Sequence, residues 1–149
     1  MNKALLHPEV QEFLRKNLRT ATAELALRGS PFPDISSSEL AQQLTGLQKA
    51  EKKLPTWFSH PQIYYPPKLN LEQTSSETTA KYKASLLGGT TLIDLTGGLG
   101  IDDFYFVANF KEVVHCELNA ELSEIAAHNL KQLAIQNIFL KNEDSIAFL

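Results

Sequence analysis

The run Thr91-Leu92-Ile93-Asp94-Leu95-Thr96-Gly97-Gly98-Leu99-Gly100 limits what this chain can fold into more than any other segment. Its first half, apolar and β-branched, predicts a short strand. Its glycine-dense second half predicts a sharp bend in which the backbone lies open to close approach. A helix-spaced stretch follows at residues 102–109. Val113-Val114-His115-Cys116 then repeats the strand pattern. Asn119 suits the cap of a long helix to about Leu133, with Leu122, Ile125, Ala126, Asn129, Leu130 and Leu133 along one side. Ile138-Phe139-Leu140 predicts a third strand, and Asn142-Glu143-Asp144-Ser145 the opening of a further helix. A β-α-β-α-β order implies parallel strands joined by right-handed crossovers, the first half of a doubly wound α/β sheet.

The residues ahead of this pattern read differently. Pro8 suits a helix start, and Val10, Phe13, Leu14, Leu18, Ala21 and Leu25 recur at helical spacing until Gly29. Thr20 is a candidate cap, with a break expected between Asn17 and Ala21. Ser36 and Glu39 fit a capping box, and Leu40, Leu44, Leu47 and Leu54 form the apolar stripe of a helix that Pro55 ends. Residues 55–70, rich in proline and aromatics, read as a loop or extended connector. A short helix is expected from about Ser76 to Leu87. The domain reading is therefore a helical region at 1–54, a Pro/aromatic connector at 55–70 and an incomplete α/β domain at 71–149.

Charge is uneven. Residues 1–90 hold 11 Lys/Arg against 8 Asp/Glu, and residues 91–149 hold 3 against 9. A polyanionic partner would meet the front of the chain. Arg15, Lys16, Arg19, Lys49, Lys52 and Lys53 are the candidate basic surface, and Trp57, Phe58, Tyr64 and Tyr65 candidate stacking residues; a solvated helix face and a packed aromatic connector explain both groups more simply. A single cysteine, Cys116, permits no internal disulfide. The first residues lack a signal-peptide pattern, and the expected location is cytoplasmic. The four histidines lack metal-ligand spacing, so no metal site is expected, and core or strand-face roles suffice for His115 and Cys116.

Three features fall at the C-terminal ends of the predicted strands, where open parallel sheets bind ligands. They are Asp94 with the bend through Thr96, Gly97, Gly98 and Gly100, then Glu117 after the second strand, then Asp144 after the third. Glu117 is placed to accept both hydroxyls of a ribose, and Asp144 the amino group of an adenine, though a helix cap explains Asp144 equally well. The glycines run G-G-x-G rather than the G-x-G-x-x-G of dinucleotide sites. An acid at Asp94 disfavours a pyrophosphate and favours the ammonium and sulfonium of S-adenosyl-L-methionine.

Residues 94–102, Asp-Leu-Thr-Gly-Gly-Leu-Gly-Ile-Asp, closely resemble motif I of class I S-adenosylmethionine-dependent methyltransferases. Asn70-Leu71-Glu72-Gln73-Thr74-Ser75-Ser76-Glu77 with Ala80 is similar to the segment before motif I in RNA guanine-N2 methyltransferases of the trimethylguanosine-synthase type. Over residues 7–149 the chain resembles the front of bacterial proteins assigned as RNA methyltransferases, in which a helical region precedes the catalytic domain and a THUMP-like region follows it. The resemblance implies a Rossmann-like methyltransferase sheet that binds S-adenosyl-L-methionine. It implies that Thr74 and Ser75 contact the methionine end, Asp94 its amino group, Glu117 the ribose and Asp144 the adenine, with Gly97, Gly98 and Gly100 letting the cofactor lie close to the backbone.

The family's substrate motif, an Asn/Asp/Ser-Pro-Pro-aromatic segment after the fourth strand, has no counterpart here, so no catalytic residue is named. The expectation is an RNA methyltransferase represented by its cofactor-binding part, a truncated domain inactive alone, with an open sheet edge that invites self-association. The rivals are a non-catalytic methyltransferase-like module that binds RNA or protein, a methyltransferase of small molecules or proteins, and a nicotinamide-dependent oxidoreductase.

Overall fold

The computed structural model describes residues 1–144, with residues 68 and 69 described by backbone alone. The chain divides into two compact units, Met1–Glu72 and Gln73–Leu149. The helix expected to open at Asn142 would run through residues 145–149, which lie outside the described residues.

The first unit is helical. A 3-10 turn at Lys3–Leu6 precedes α1 (Pro8–Lys16), α2 (Thr22–Arg28), α3 (Ser37–Lys53), α4 (Pro55–Ser59) and α5 (Lys68–Gln73), whose last residue opens the second unit. The expected break falls between α1 and α2, where the Asn17 side chain donates to the Phe13 carbonyl at 2.9 Å and closes the helix end. Thr20 is not the cap of α2. Ala21 takes that position without a side-chain bond, and the Thr20 hydroxyl donates to Asn17 Oδ1 at 3.3 Å. Both arms of the Ser36–Glu39 capping box are present.

Residues 60–67 carry no helix or strand, as expected of a connector, but both ends of the 55–70 stretch are helical. Pro55 starts a helical turn, where its missing N–H costs nothing. The Arg15 guanidinium donates to the carbonyls of Phe58 and His60, at 2.8 and 3.2 Å, and covers the Phe58 ring. Trp57, Ile63, Tyr64 and Tyr65 are buried as part of the core. Gly46 on α3 makes room for this segment, since a Cβ there would stand 2.2 Å from Tyr65 Cβ. Buried Gln43 pairs with both the N–H and the carbonyl of Tyr65. Three of the four candidate stacking residues are therefore core residues.

The second unit carries α6 (Glu77–Ser85), β1 (Gly89–Asp94), α7 (Ile101–Phe106), β2 (Phe110–Cys116), α8 (Ala120–Gln132) and β3 (Ile138–Lys141). Ser76 and Asn119 cap α6 and α8 by accepting from the backbone N–H three residues on. The strands are parallel in the order β1-β2-β3. Register and alternation settle what each face carries. Leu92, Val113 and Ile138 share a row and pack with Ala84, Phe106 and Phe110. Asp94 and His115 form the next row on that face. The opposite face carries the row Ile93, Val114 and Phe139, of which Ile93 is 40% exposed and Phe139 51%. The sheet is thus covered on one side, and β1 is one of its edges. Among the described residues, no helix is long and apolar enough to cross a membrane.

Candidate nucleoside-cofactor site

The bend after β1 is built from short-range contacts. Asp94 Oδ1 accepts the backbone N–H of Thr96 at 2.8 Å, closing a side-chain turn, and the Thr96 hydroxyl at 3.4 Å. The Gly97 N–H donates to the Cys116 carbonyl at 2.9 Å, tying the bend to the end of β2. Gly98 and Gly100 have φ of 57° and 73°, the left-handed region, and Gly100 is the cap residue of α7.

Glu117 lies one residue past β2. Its Oε2 accepts from the Gly98 N–H at 3.1 Å and its Oε1 from the Asn119 N–H at 2.7 Å. A carboxylate so held keeps lone pairs on both oxygens for further donors. The segment after β3 is drawn in by Asn142, whose amide donates to the carbonyls of Glu117 and Leu118 at 2.7 and 3.2 Å. Asp144 follows two residues on and is exposed. The structure therefore brings Asp94, Thr96, Gly97, Gly98, Gly100 and Glu117 into one bonded cluster at the strand ends, with Asp144 on the adjoining segment.

Thr74 and Ser75 are half-buried ahead of α6. The Ser75 hydroxyl donates to Asp102 Oδ2 at 2.9 Å, and Lys83 Nζ donates to both Ser75 Oγ and that same carboxylate oxygen, at 2.9 and 2.8 Å. Ser75 thus anchors its turn to the first residues of α7.

Sequence reasoning missed a buried pair beneath the bend. His115 Nδ1 and Asp103 Oδ2 are 2.6 Å apart, and both side chains are wholly buried. Burial pushes the Asp103 carboxyl up to about 6, the nearby negative charge and hydrogen bond of Asp94 push the same way, and His115 opposes them. The Cys116 thiol is raised by burial and then by the charges of Glu143, Asp94 and Asp103, with Lys141 opposing them. The only signal in the sequence was a polar His115 beside the apolar Val113, Val114 and Cys116. Among the described residues, no group of three or more His, Cys, Asp or Glu is arranged to hold a metal ion.

This chain is similar to a candidate methyltransferase from Porphyromonas gingivalis W83, at 27% identity and a TM-score of 0.74. The match covers 94% of this chain and 35% of that one, so the chain spans about a third of the protein it resembles. Lesser overlaps occur with an rRNA methylase from Streptococcus thermophilus, at 21% identity over 44% of this chain and 40% of that one, with a TM-score of 0.39. Trm5b from Pyrococcus abyssi overlaps at 19% identity over 57% of this chain and 24% of that one, with a TM-score of 0.44. No protein-family model matches the chain, and no curated protein does. The first similarity shows the fold expected from the sequence: a methyltransferase-like α/β arrangement with helices ahead of a parallel sheet.

Proposed function

We propose that this chain is the cofactor-binding part of an S-adenosyl-L-methionine-dependent methyltransferase acting on RNA. The observation that carries the proposal is the convergence of Asp94, the Gly97–Gly100 bend and Glu117 at the ends of neighbouring parallel strands, with the Glu117 carboxylate already fixed by two backbone N–H groups. Similarity to the Porphyromonas gingivalis protein supports it.

The residues present fit the cofactor. The left-handed glycines leave the bend without side chains where a ligand would lie against it. The carboxylates of Asp94 and Glu117 beside the bend suit a ligand that carries two cationic centres. Glu117 would hold the ribose hydroxyls, Asp144 the adenine amino group, Asp94 the ammonium, and Thr74 and Ser75 the methionine end, with Thr96 and Gly97 shaping the bend between them. When bound, the cofactor supplies an electrophilic methyl group. The task of these residues is to orient it, and alignment accounts for much of the acceleration in such a transfer.

Calorimetric titration of the chain tests this. S-adenosylhomocysteine is expected to bind and NAD not to. Glu117→Gln removes a charge-assisted acceptor worth about 1.5–3 kcal/mol, an affinity loss of roughly ten- to a hundredfold. Binding of NAD in preference, or a Glu117→Gln variant with unchanged affinity, would overturn the assignment.

The RNA target rests on the family resemblance and on the positive balance of residues 1–90. Most of the candidate basic side chains are engaged locally. Lys16 pairs with Glu12, Arg19 with Glu51 through both carboxylate oxygens, and Lys49 with Glu72. Lys53 donates to the carbonyls of Leu71 and Glu72, and Lys52 is exposed. Reversing Lys52 and Lys53 to glutamate is expected to weaken binding of a structured RNA about tenfold at low salt, with the difference shrinking as salt rises. Equal binding by both proteins at every salt concentration would move the target to a small molecule or a protein.

A further inference from the structure

The acids at the strand ends leave one part of the cofactor without a charged partner. Its amino-acid end is a zwitterion and brings a carboxylate as well as an ammonium, whereas the charged side chains assigned to it, Asp94, Glu117 and Asp144, are all acidic. A carboxylate in such company calls for a cation. No arginine lies beyond residue 72, and the lysines there are Lys81, Lys83, Lys111, Lys131 and Lys141. Lys81 pairs with Glu77 at 2.6 Å and stands over the Tyr105 ring. Lys111 lies near the start of β2 and Lys131 in the last turn of α8, both toward the N-terminal ends of the strands, away from the bend. Lys141 ends β3, on the far side of β2 from Asp94.

Lys83 is placed differently. Its Nζ donates to Ser75 Oγ at 2.9 Å and to Asp102 Oδ2 at 2.8 Å, and Ser75 donates to that same carboxylate oxygen at 2.9 Å, so the three groups close a triangle. The helix that carries Lys83, α6, packs on the sheet face that carries Asp94, for the neighbouring Ala84 lies in one cluster with Val113 and Leu92, and Leu92 is two residues before Asp94 on β1. Asp102 is the second residue of α7, two past the Gly100 that ends the bend. The hydroxyl hydrogen of Ser75 is spent on Asp102, so Ser75 has none left for a carboxylate. An ammonium has three donors, of which two are engaged here among the described residues. The Lys83 side chain is 45% exposed, so a ligand can reach the third. A staple from α6 to α7 would need Asp102 alone; the bond to Ser75 puts the charge on the turn assigned to the methionine end.

We propose that Lys83 binds the carboxylate at the methionine end of the cofactor, with Ser75 and Asp102 as the residues that position its amine. This rests on the cofactor assignment made above and adds to it the residue that reads the acid function of the ligand. Each charge of the amino-acid end then meets its opposite, the ammonium at Asp94 and the carboxylate at Lys83. Asp102 already shares the Lys83 charge, and the amine is half-exposed. The contact is therefore worth about tenfold in affinity, the low end for a charge-assisted hydrogen bond.

Calorimetry on the full chain separates the parts of the ligand. S-adenosylhomocysteine carries both charges of the amino-acid end, its decarboxylated form keeps the ammonium alone, and 5′-methylthioadenosine has neither. The wild type is expected to bind the first about tenfold more tightly than the second. Lys83→Gln keeps a hydrogen-bond donor and removes the charge. It should abolish that preference by weakening S-adenosylhomocysteine about tenfold, with the other two ligands unchanged. On the wild type alone the preference should shrink as salt rises, because a half-exposed ion pair is screened and a hydroxyl contact is not. A preference that survives in Lys83→Gln, an equal loss for all three ligands, or a wild-type preference that is absent or indifferent to salt would overturn the inference and leave the cofactor assignment standing. Failure of all three ligands to bind the wild type would overturn both. If Lys83→Gln does not fold, the salt series on the wild type still decides.

Discussion

Replacing Gly97 by alanine is expected to cost the second unit about 3 kcal/mol of stability, the upper part of the range for forcing an extra carbon into a packed core, and to remove cofactor binding with it. The reason is space, since Gly97 is not among the glycines with positive φ. The new Cβ would lie 2.2 Å from His115 Nδ1 and 2.7 Å from Cγ, well inside contact distance. The ring has no room to retreat. It is wholly buried, and its Nδ1 is held at 2.6 Å by Asp103. The bend is equally constrained, because the Gly97 N–H is bonded to the Cys116 carbonyl at 2.9 Å. Urea unfolding followed by far-ultraviolet circular dichroism measures the loss. Hydrogen exchange at β1 and β2 assigns it to this unit, which Trp57 fluorescence, from the other unit, would not. Repeating Gly97→Ala in a His115→Ala background should recover about 1 kcal/mol or more, the coupling expected of groups in contact. A cost below about 1 kcal/mol in the wild type would mean that the ring moves freely, and the placing of His115 as the floor of the bend would be wrong.

Replacing His115 by leucine should cost about 3–5 kcal/mol near pH 8, the range for a buried charge stripped of its partner. Leucine fills the volume, so the loss falls on Asp103, which forfeits its donor among the described residues and keeps Asp94 beside it. The pH dependence carries a definite sign. Asp103 sits above the usual carboxylate range already, at about 6, so the folded protein binds its proton more tightly than the unfolded chain does and loses stability as pH rises toward 6. Without the imidazole the carboxyl is raised further. The variant therefore goes on losing stability above pH 6, at up to about 1.4 kcal/mol per pH unit, while the Asp103 contribution in the wild type has levelled off. The gap between the two proteins should be small near pH 5 and widest near pH 8. Denaturant midpoints across that range measure it. A gap that does not change with pH would mean that Asp103 is not ionised in the folded wild type.

Local chemistry along the chain was enough for much of the architecture. Ser36 with Glu39, Ser76 and Asn119 each mark a helix start because a cap needs only a side chain and an N–H three residues away. The strand–bend–helix at Asp94 to Gly100 is local in the same sense, and parallel crossovers oblige whatever follows each strand to gather at one edge of the sheet. For that reason Asp94 and Glu117 could be named together before any coordinates. The helical turn at Pro55–Ser59 was missed because proline at a first helical position looks like proline in a loop until the surrounding core is known. What makes residues 55–70 compact is Arg15, Gln43 and Gly46, all distant in sequence.

Tertiary structure alone decided the rest. Asp102 and Asp103 are adjacent and chemically alike, yet one faces Ser75 and Lys83 and the other is sealed against His115. A helix turns its side chains by about 100° per residue, so which acid goes inward depends on how α7 is rotated over the sheet. Likewise, the pairing of Asp94 with His115 is a matter of strand register, and a shift of one residue would send His115 to the other face. Gly97, a turn residue to anyone reading the sequence, turns out to be a gap kept for an imidazole. Capping and turning are set within a few residues, whereas rotation and register are set by the packing of whole elements, and the chemistry under the bend was written in the second kind of contact.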